Sequence, residues 1–101
     1  MSKKFRTYEL AKEFYLDCKK IKLNGAMKNQ FERASLSIVL NLSEGSAKPT
    51  RKDRARFYFI AYGSLKETRT LLDLSGSHEL DSKADKLGAY IWRLAHNPGG
   101  T

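Results

Sequence analysis

The chain has 101 residues, 41% of them hydrophobic and 30% charged, with only two prolines, which excludes a disordered or fibrous protein and predicts one globular domain over residues 1–101. A formal charge of +8 points to a polyanionic partner. The single cysteine, Cys18, excludes an internal disulfide and a Cys-based zinc centre and suits a reducing cytoplasm; no apolar run is long enough to span a bilayer, and none follows the basic start to form a secretory leader.

The periodicity is helical throughout, and no apolar/polar alternation persists long enough to predict a strand. Helix one is expected over about 7–22, with Leu10, Ala11, Phe14, Cys18 and Ile21 on one face. Glu9, Glu13 and Asp17 form a second stripe. No histidine joins these carboxylates, so a solvated edge, or one paired with a basic neighbour, is expected rather than a metal site. Asn24-Gly25 reads as the C-cap of this helix and the turn into the next.

Helix two is expected over about 26–44. Met27, Phe31, Ala34, Ile38 and Leu42 form one stripe, and Leu36, Val39 and Leu40 lie on the opposite side. A helix apolar nearly all round is buried on both sides, one against the bundle and one against a second subunit. Asn41 interrupts the run and reads as a hydrogen-bonded lock between helices. Gly45 reads as the C′ glycine. Thr50 with Asp53 resembles a capping box that opens helix three.

Helix three is expected over about 51–75, with Phe57, Ile60, Ala61, Ser64, Thr68, Leu71 and Leu72 buried. Gly63 and Ser64 are small enough to admit a neighbouring helix closely. Beside that face, Arg51, Arg54, Tyr58, Tyr62, Leu65 and Arg69 fall within roughly 80° of arc. Guanidinium groups grip phosphates and tyrosine stacks on bases, so Lys48, Arg51, Lys52, Arg54, Tyr58, Tyr62 and Arg69 are the candidate nucleic-acid-binding residues. The alternative is that the tyrosines pack on a partner helix and the arginines pair with the acidic stripe.

Helix four is expected over about 82–96. Its stripe is Ala84, Leu87, Ile91, Leu94 and Ala95, with Ser82 and Asp85 as the cap and residues 97–101 as a frayed tail. Four such segments with short connections predict an all-α, antiparallel up-down four-helix bundle. Leu16, Leu36, Leu40, Phe59 and Trp92 remain off the core stripes and are the candidate contacts between subunits. The excess charge is uneven. Residues 1–56 carry fourteen basic and six acidic side chains, and residues 57–101 carry five of each. Neither His78 nor His96 has a local partner for nucleophilic or metal chemistry, so no catalytic residue, metal or cofactor is expected.

Gln30, Arg33-Ala34, Ser37-Ile38, Asn41 and Glu44-Gly45 follow the pattern Gln-x-x-Arg-Ala-x-x-Ser-Ile-x-x-Asn-x-x-Glu-Gly, and residues 57–67 look like its continuation. Both resemble the bacterial four-helix-bundle proteins encoded in intervening sequences of 23S ribosomal RNA genes. The accessory variability determinant of diversity-generating retroelements is a more distant relative by this reading. The resemblance implies a ring-shaped homo-oligomer of five subunits, a basic surface for nucleic acid, and no enzymatic activity. For the retroelement relatives it implies binding to a reverse transcriptase and its RNA. Carried over position by position, the motif residues are Arg33, Ser37, Asn41, Glu44, Gly45, Ser64 and Glu67, with Asn41, Glu44, Ser64 and Glu67 tying helix two to helix three. The leading expectation is a cytoplasmic, non-enzymatic module that binds nucleic acid, RNA before DNA. The alternative is an oligomeric scaffold whose basic face binds an acidic protein such as a reverse transcriptase.

Overall fold

The computed structural model describes residues 2–99, which form four α-helices and no strand: α1 Lys3–Cys18, α2 Gly25–Ser46, α3 Arg51–Leu74 and α4 Asp81–His96. The start of α1 is set by Ser2, whose Oγ accepts the Phe5 N–H at 3.1 Å, so the helix begins four residues before the expected start at about residue 7. It also ends four residues early. Lys19 and Lys20 turn away, and Ile21, although outside the helix, still packs on the core. Asn24 has extended backbone and Gly25 has φ +54°, so this pair opens α2 instead of closing α1. At the far end of α3, Gly76 with φ +73° allows the Ser77 N–H to reach back to the Leu72 carbonyl at 2.9 Å, a Schellman closure. Helix α4 starts at Asp81 behind a buried Leu80, so Ser82 lies inside the helix and is not its cap.

Successive helices run antiparallel. Gly45, near the end of α2, meets Tyr58 near the start of α3, and Arg69 late in α3 meets Asp85 early in α4. Each helix sends a stripe inward, led by Phe14, Ile38, Leu65 and Ile91. The α4 stripe is buried as its spacing predicts. On α2, Val39 is buried with Ile38 and Leu42, while Leu36 and Leu40 face outward.

Helix α3 departs from expectation. Its buried line is Arg54, Tyr58, Ala61, Leu65, Thr68 and Leu72, rotated by roughly 60° from the predicted one. Ile60 is 46% exposed, and Phe57, Ser64 and Leu71 are only partly covered. The cause lies on the neighbouring helix. Gly45 sits inside α2 and not at C′, and a Cβ there would stand 2.9 Å from both Phe57 Cβ and Tyr58 Cε1. The missing side chain lets the tyrosine ring lie against the α2 backbone and turns α3 to bring it inside. Gly63 has no neighbour within 4 Å, so within the chain it admits no close helix.

Candidate nucleic-acid interface

Antiparallel packing brings the start of α1, the end of α2, the start of α3 and the end of α4 together. A cleft of about 380 Å³ at this end is lined by Ser2, Lys3, Lys4, Arg54, Leu94 and Pro98. Taking six residues of each helix at this end with the adjoining segments, Lys3, Lys4, Arg6, Lys48, Arg51, Lys52, Arg54, Arg56 and Arg93 stand against only Glu44 and Asp53. Nine cations less two anions leave +7 of the chain's +8 at one end of the bundle. The remainder carries ten basic and nine acidic residues. The N-termini of α1 and α3 and the C-termini of α2 and α4 meet at this end, so the helix dipoles largely offset one another and the side-chain charge sets its attraction for anions.

The strip predicted on α3 is not a surface. Arg54 is 7% exposed and Tyr58 1%, and Leu65 is buried with them. The Arg54 guanidinium works inside the fold: Nε donates to the Pro98 carbonyl at 3.0 Å, Nη1 to the Lys48 carbonyl at 3.0 Å, and Nη2 to the Gly99 carbonyl. It thereby joins the α2–α3 connection to the C-terminal segment, so residues 97–99 are docked and not frayed; Gly100 and Thr101 lie outside the described residues. The phenol of Tyr58 has no hydrogen-bond partner for its Oη among the described residues, and burial raises its pKa against a smaller opposing effect of Arg54. Of the other predicted binding residues, Arg51 and Lys52 are exposed on the first turn of α3. Lys48 lies over the Phe57 ring at 5.0 Å and 3.7 Å from Glu44. Arg69 sits at the other end of the bundle, in a 2.8 Å ion pair with Asp85. Tyr62 is half-buried against Trp92.

Among the motif residues, Ser37 and Ser64 do join α2 to α3, hydroxyl to hydroxyl at 2.8 Å. Asn41 is half-buried and donates to the Ser37 carbonyl and hydroxyl on its own helix, so it supports that bridge without crossing it. Glu44 turns to Lys48, four residues on, and not to α3. Arg33 and Glu67 are exposed. The acidic stripe of α1 is answered by α4: Lys83 bonds both Asp17 and Glu13, which raise its pKa. Among the described residues no group of three or more His, Cys, Asp or Glu is placed to hold a metal ion. Cys18 is a buried core residue, its thiol pushed up to about 12 by burial and, secondarily, by Asp17.

Sequence reasoning missed Lys3, Lys4, Arg6, Arg56 and Arg93 as members of the basic end. The Ser2 cap was the available signal, because starting α1 at Lys3 carries its cations beside those of α3.

The fold and its charge define a small, basic, all-α four-helix protein, a form not typical of enzymes. No helix is long and apolar enough to cross a membrane among the described residues. Residues 3–91 match the model of the 23S rRNA-intervening sequence protein family, and the chain belongs to that family. No curated protein and no solved structure matches it.

Proposed function

We propose that this protein is a cytoplasmic, non-enzymatic RNA-binding module that grips phosphates with the basic end of its bundle. The observation that supports this most is the collection of +7 of the +8 net charge there, carried mostly by exposed side chains of α1, α3 and α4, with Arg54 buried and Lys48 partly covered. Lys3, Lys4, Arg51, Lys52 and Arg56 present the donors, while Arg54 holds the end rigid from within. Phosphate contacts position a chain without reading its bases, so sequence preference is slight. The family's link to ribosomal RNA genes makes RNA the first ligand to test.

We further propose self-association, in keeping with the exposed Leu16, Leu36 and Leu40 on the outer faces of α1 and α2. Repetition of the basic end around a ring would add modest contacts together. Fluorescence anisotropy of a labelled ribosomal RNA fragment tests the binding. If about six phosphates are neutralised, raising salt from ~50 to ~200 mM weakens binding by on the order of 10³-fold. Absence of binding at low salt would overturn this reading and leave the scaffold for an acidic protein in its place.

A further inference from the structure

Beside the basic end, the outer groove between α3 and α4 carries a cluster of exposed rings. Phe59 is 44% exposed and Trp92 48%, and His96 is exposed beside them. The His96 ring lies 3.9 Å from Trp92 and 5.1 Å from Phe59, centroid to centroid, with Phe59 edge-on to Trp92 at 6.4 Å. Tyr62 closes the inner side at 5.3 Å from Trp92. A cleft of about 420 Å³ runs along this cluster between Tyr62, Arg69, Gly88, Trp92 and Arg93.

The surroundings decide what such a cluster suits. Lys66 stands 5.7 Å over the Tyr62 ring, Arg93 follows Trp92 in sequence, and Lys52 and Arg56 lie one to two turns before Phe59 on α3. The acid in the cleft, Asp85, is already paired with Arg69. Rings fringed by cations and continuous with a phosphate-binding end suit unpaired bases on a polyanionic backbone. The same surface on a second copy would bring like charges together. We infer that Trp92, Phe59 and His96 form a stacking platform for unpaired bases, so that the preferred ligand is single-stranded RNA running from the basic end along the α3–α4 groove. This rests on the RNA-binding reading above, and it reassigns Phe59 and Trp92, expected from the sequence at a subunit contact, to the ligand.

Trp92 is the one tryptophan of the chain, so emission excited beyond the absorption of the five tyrosines reports on this site. The full-length protein is titrated with a short oligouridylate and, separately, with a duplex RNA of the same length, each also followed by anisotropy of a label on the RNA. The single strand is expected to quench Trp92 in step with the anisotropy curve, and the duplex to bind without quenching. Trp92→Leu and Phe59→Leu each weaken the single strand about tenfold and leave the duplex unchanged, because aromatic stacking on unpaired bases is what they remove. Both positions are exposed, and an unchanged far-ultraviolet circular dichroism spectrum verifies that the variants fold. Salt-sensitive binding of both RNAs without quenching overturns the platform while leaving the basic end standing. A failure of both RNAs to bind overturns the two readings together. Emission that changes only on dilution of the protein overturns the platform by giving the rings to a second copy.

Discussion

Two helical glycines, Gly63 in the middle of α3 and Gly45 at the end of α2, are expected to respond oppositely to the same added methyl group. Gly63 lies on the outer face of α3 with nothing within 4 Å of where a Cβ would stand. Gly63→Ala therefore collects the helix-propensity gain of about 1 kcal/mol with nothing to oppose it. A gain of that size raises Tm by roughly 4–8 °C in a domain this small. Gly45→Ala, next to the last residue of α2, makes at most that gain, and its Cβ meets Phe57 Cβ and Tyr58 Cε1 at 2.9 Å and Tyr58 Cδ1 at 3.1 Å. Phe57 Cβ is tied to its backbone, so relief requires α3 itself to shift. Overpacking of this kind costs about 1–3 kcal/mol, which leaves the variant between neutral and ~2 kcal/mol less stable. Urea denaturation of both variants beside the parent measures the difference, expected at ~1–3 kcal/mol. If Gly45→Ala stabilises as much as Gly63→Ala, the close approach does not set the rotation of α3, and the burial of Tyr58 needs another cause.

Tyr58→Phe removes a buried hydroxyl without a partner among the described residues, so urea denaturation should show it unchanged or more stable by about 1 kcal/mol; a comparable loss would mean that the hydroxyl is bonded. Arg54→Met should cost about 2–3 kcal/mol by leaving the Lys48, Pro98 and Gly99 carbonyls without their donor. Truncation after His96 should cost much of the same, and a double-mutant cycle should show the two losses overlapping, whereas simple addition would deny the clamp. Cys18 should react with iodoacetamide far more slowly in the native protein than in urea. Its folded thiol is held up to about 12 while the unfolded one ionises near 9.0, so its contribution to stability is intact below pH 9 and lost as pH rises through that window. A folded protein whose Cys18 is alkylated at the unfolded rate would contradict that burial.

The fold was legible where apolar residues alone occupy the inward face. The α4 stripe shows this, because nothing polar competes with Leu87, Ile91 and Leu94. On α3 two arcs compete. Phe57, Ile60 and Leu71 make the more apolar one, but Tyr58, Leu65 and Leu72 are the ones inside. Local spacing cannot choose between them, because the deciding feature is Gly45 on another helix. A guanidinium that bonds three backbone carbonyls is equally invisible in a one-dimensional pattern, and Arg54 therefore looked like a surface cation. The charge was visible as an imbalance between the halves of the chain. Its concentration at one end is a product of antiparallel packing, which sets Lys3, Lys4 and Arg6 beside Arg51 and Lys52. The ion pairing of Lys83 with Glu13 and Asp17 arises in the same way, across residues far apart in sequence.

The central claim is that the position of charge, and not its total, makes the RNA site. Two variants test it, each losing four cations: Lys3, Lys4, Lys52 and Arg56 to glutamine at the basic end, and Lys19, Lys20, Lys22 and Lys28 to glutamine at the other. All eight side chains are exposed, and both variants keep the same net charge as each other. Anisotropy with single-stranded RNA across a salt series should show the slope of log K against log salt falling by up to about 3 in the first variant, with a corresponding loss of affinity at low salt. The second should stay close to the parent in slope. Equal losses in both would mean that the protein attracts RNA only through its overall charge, and the basic end would not be the site.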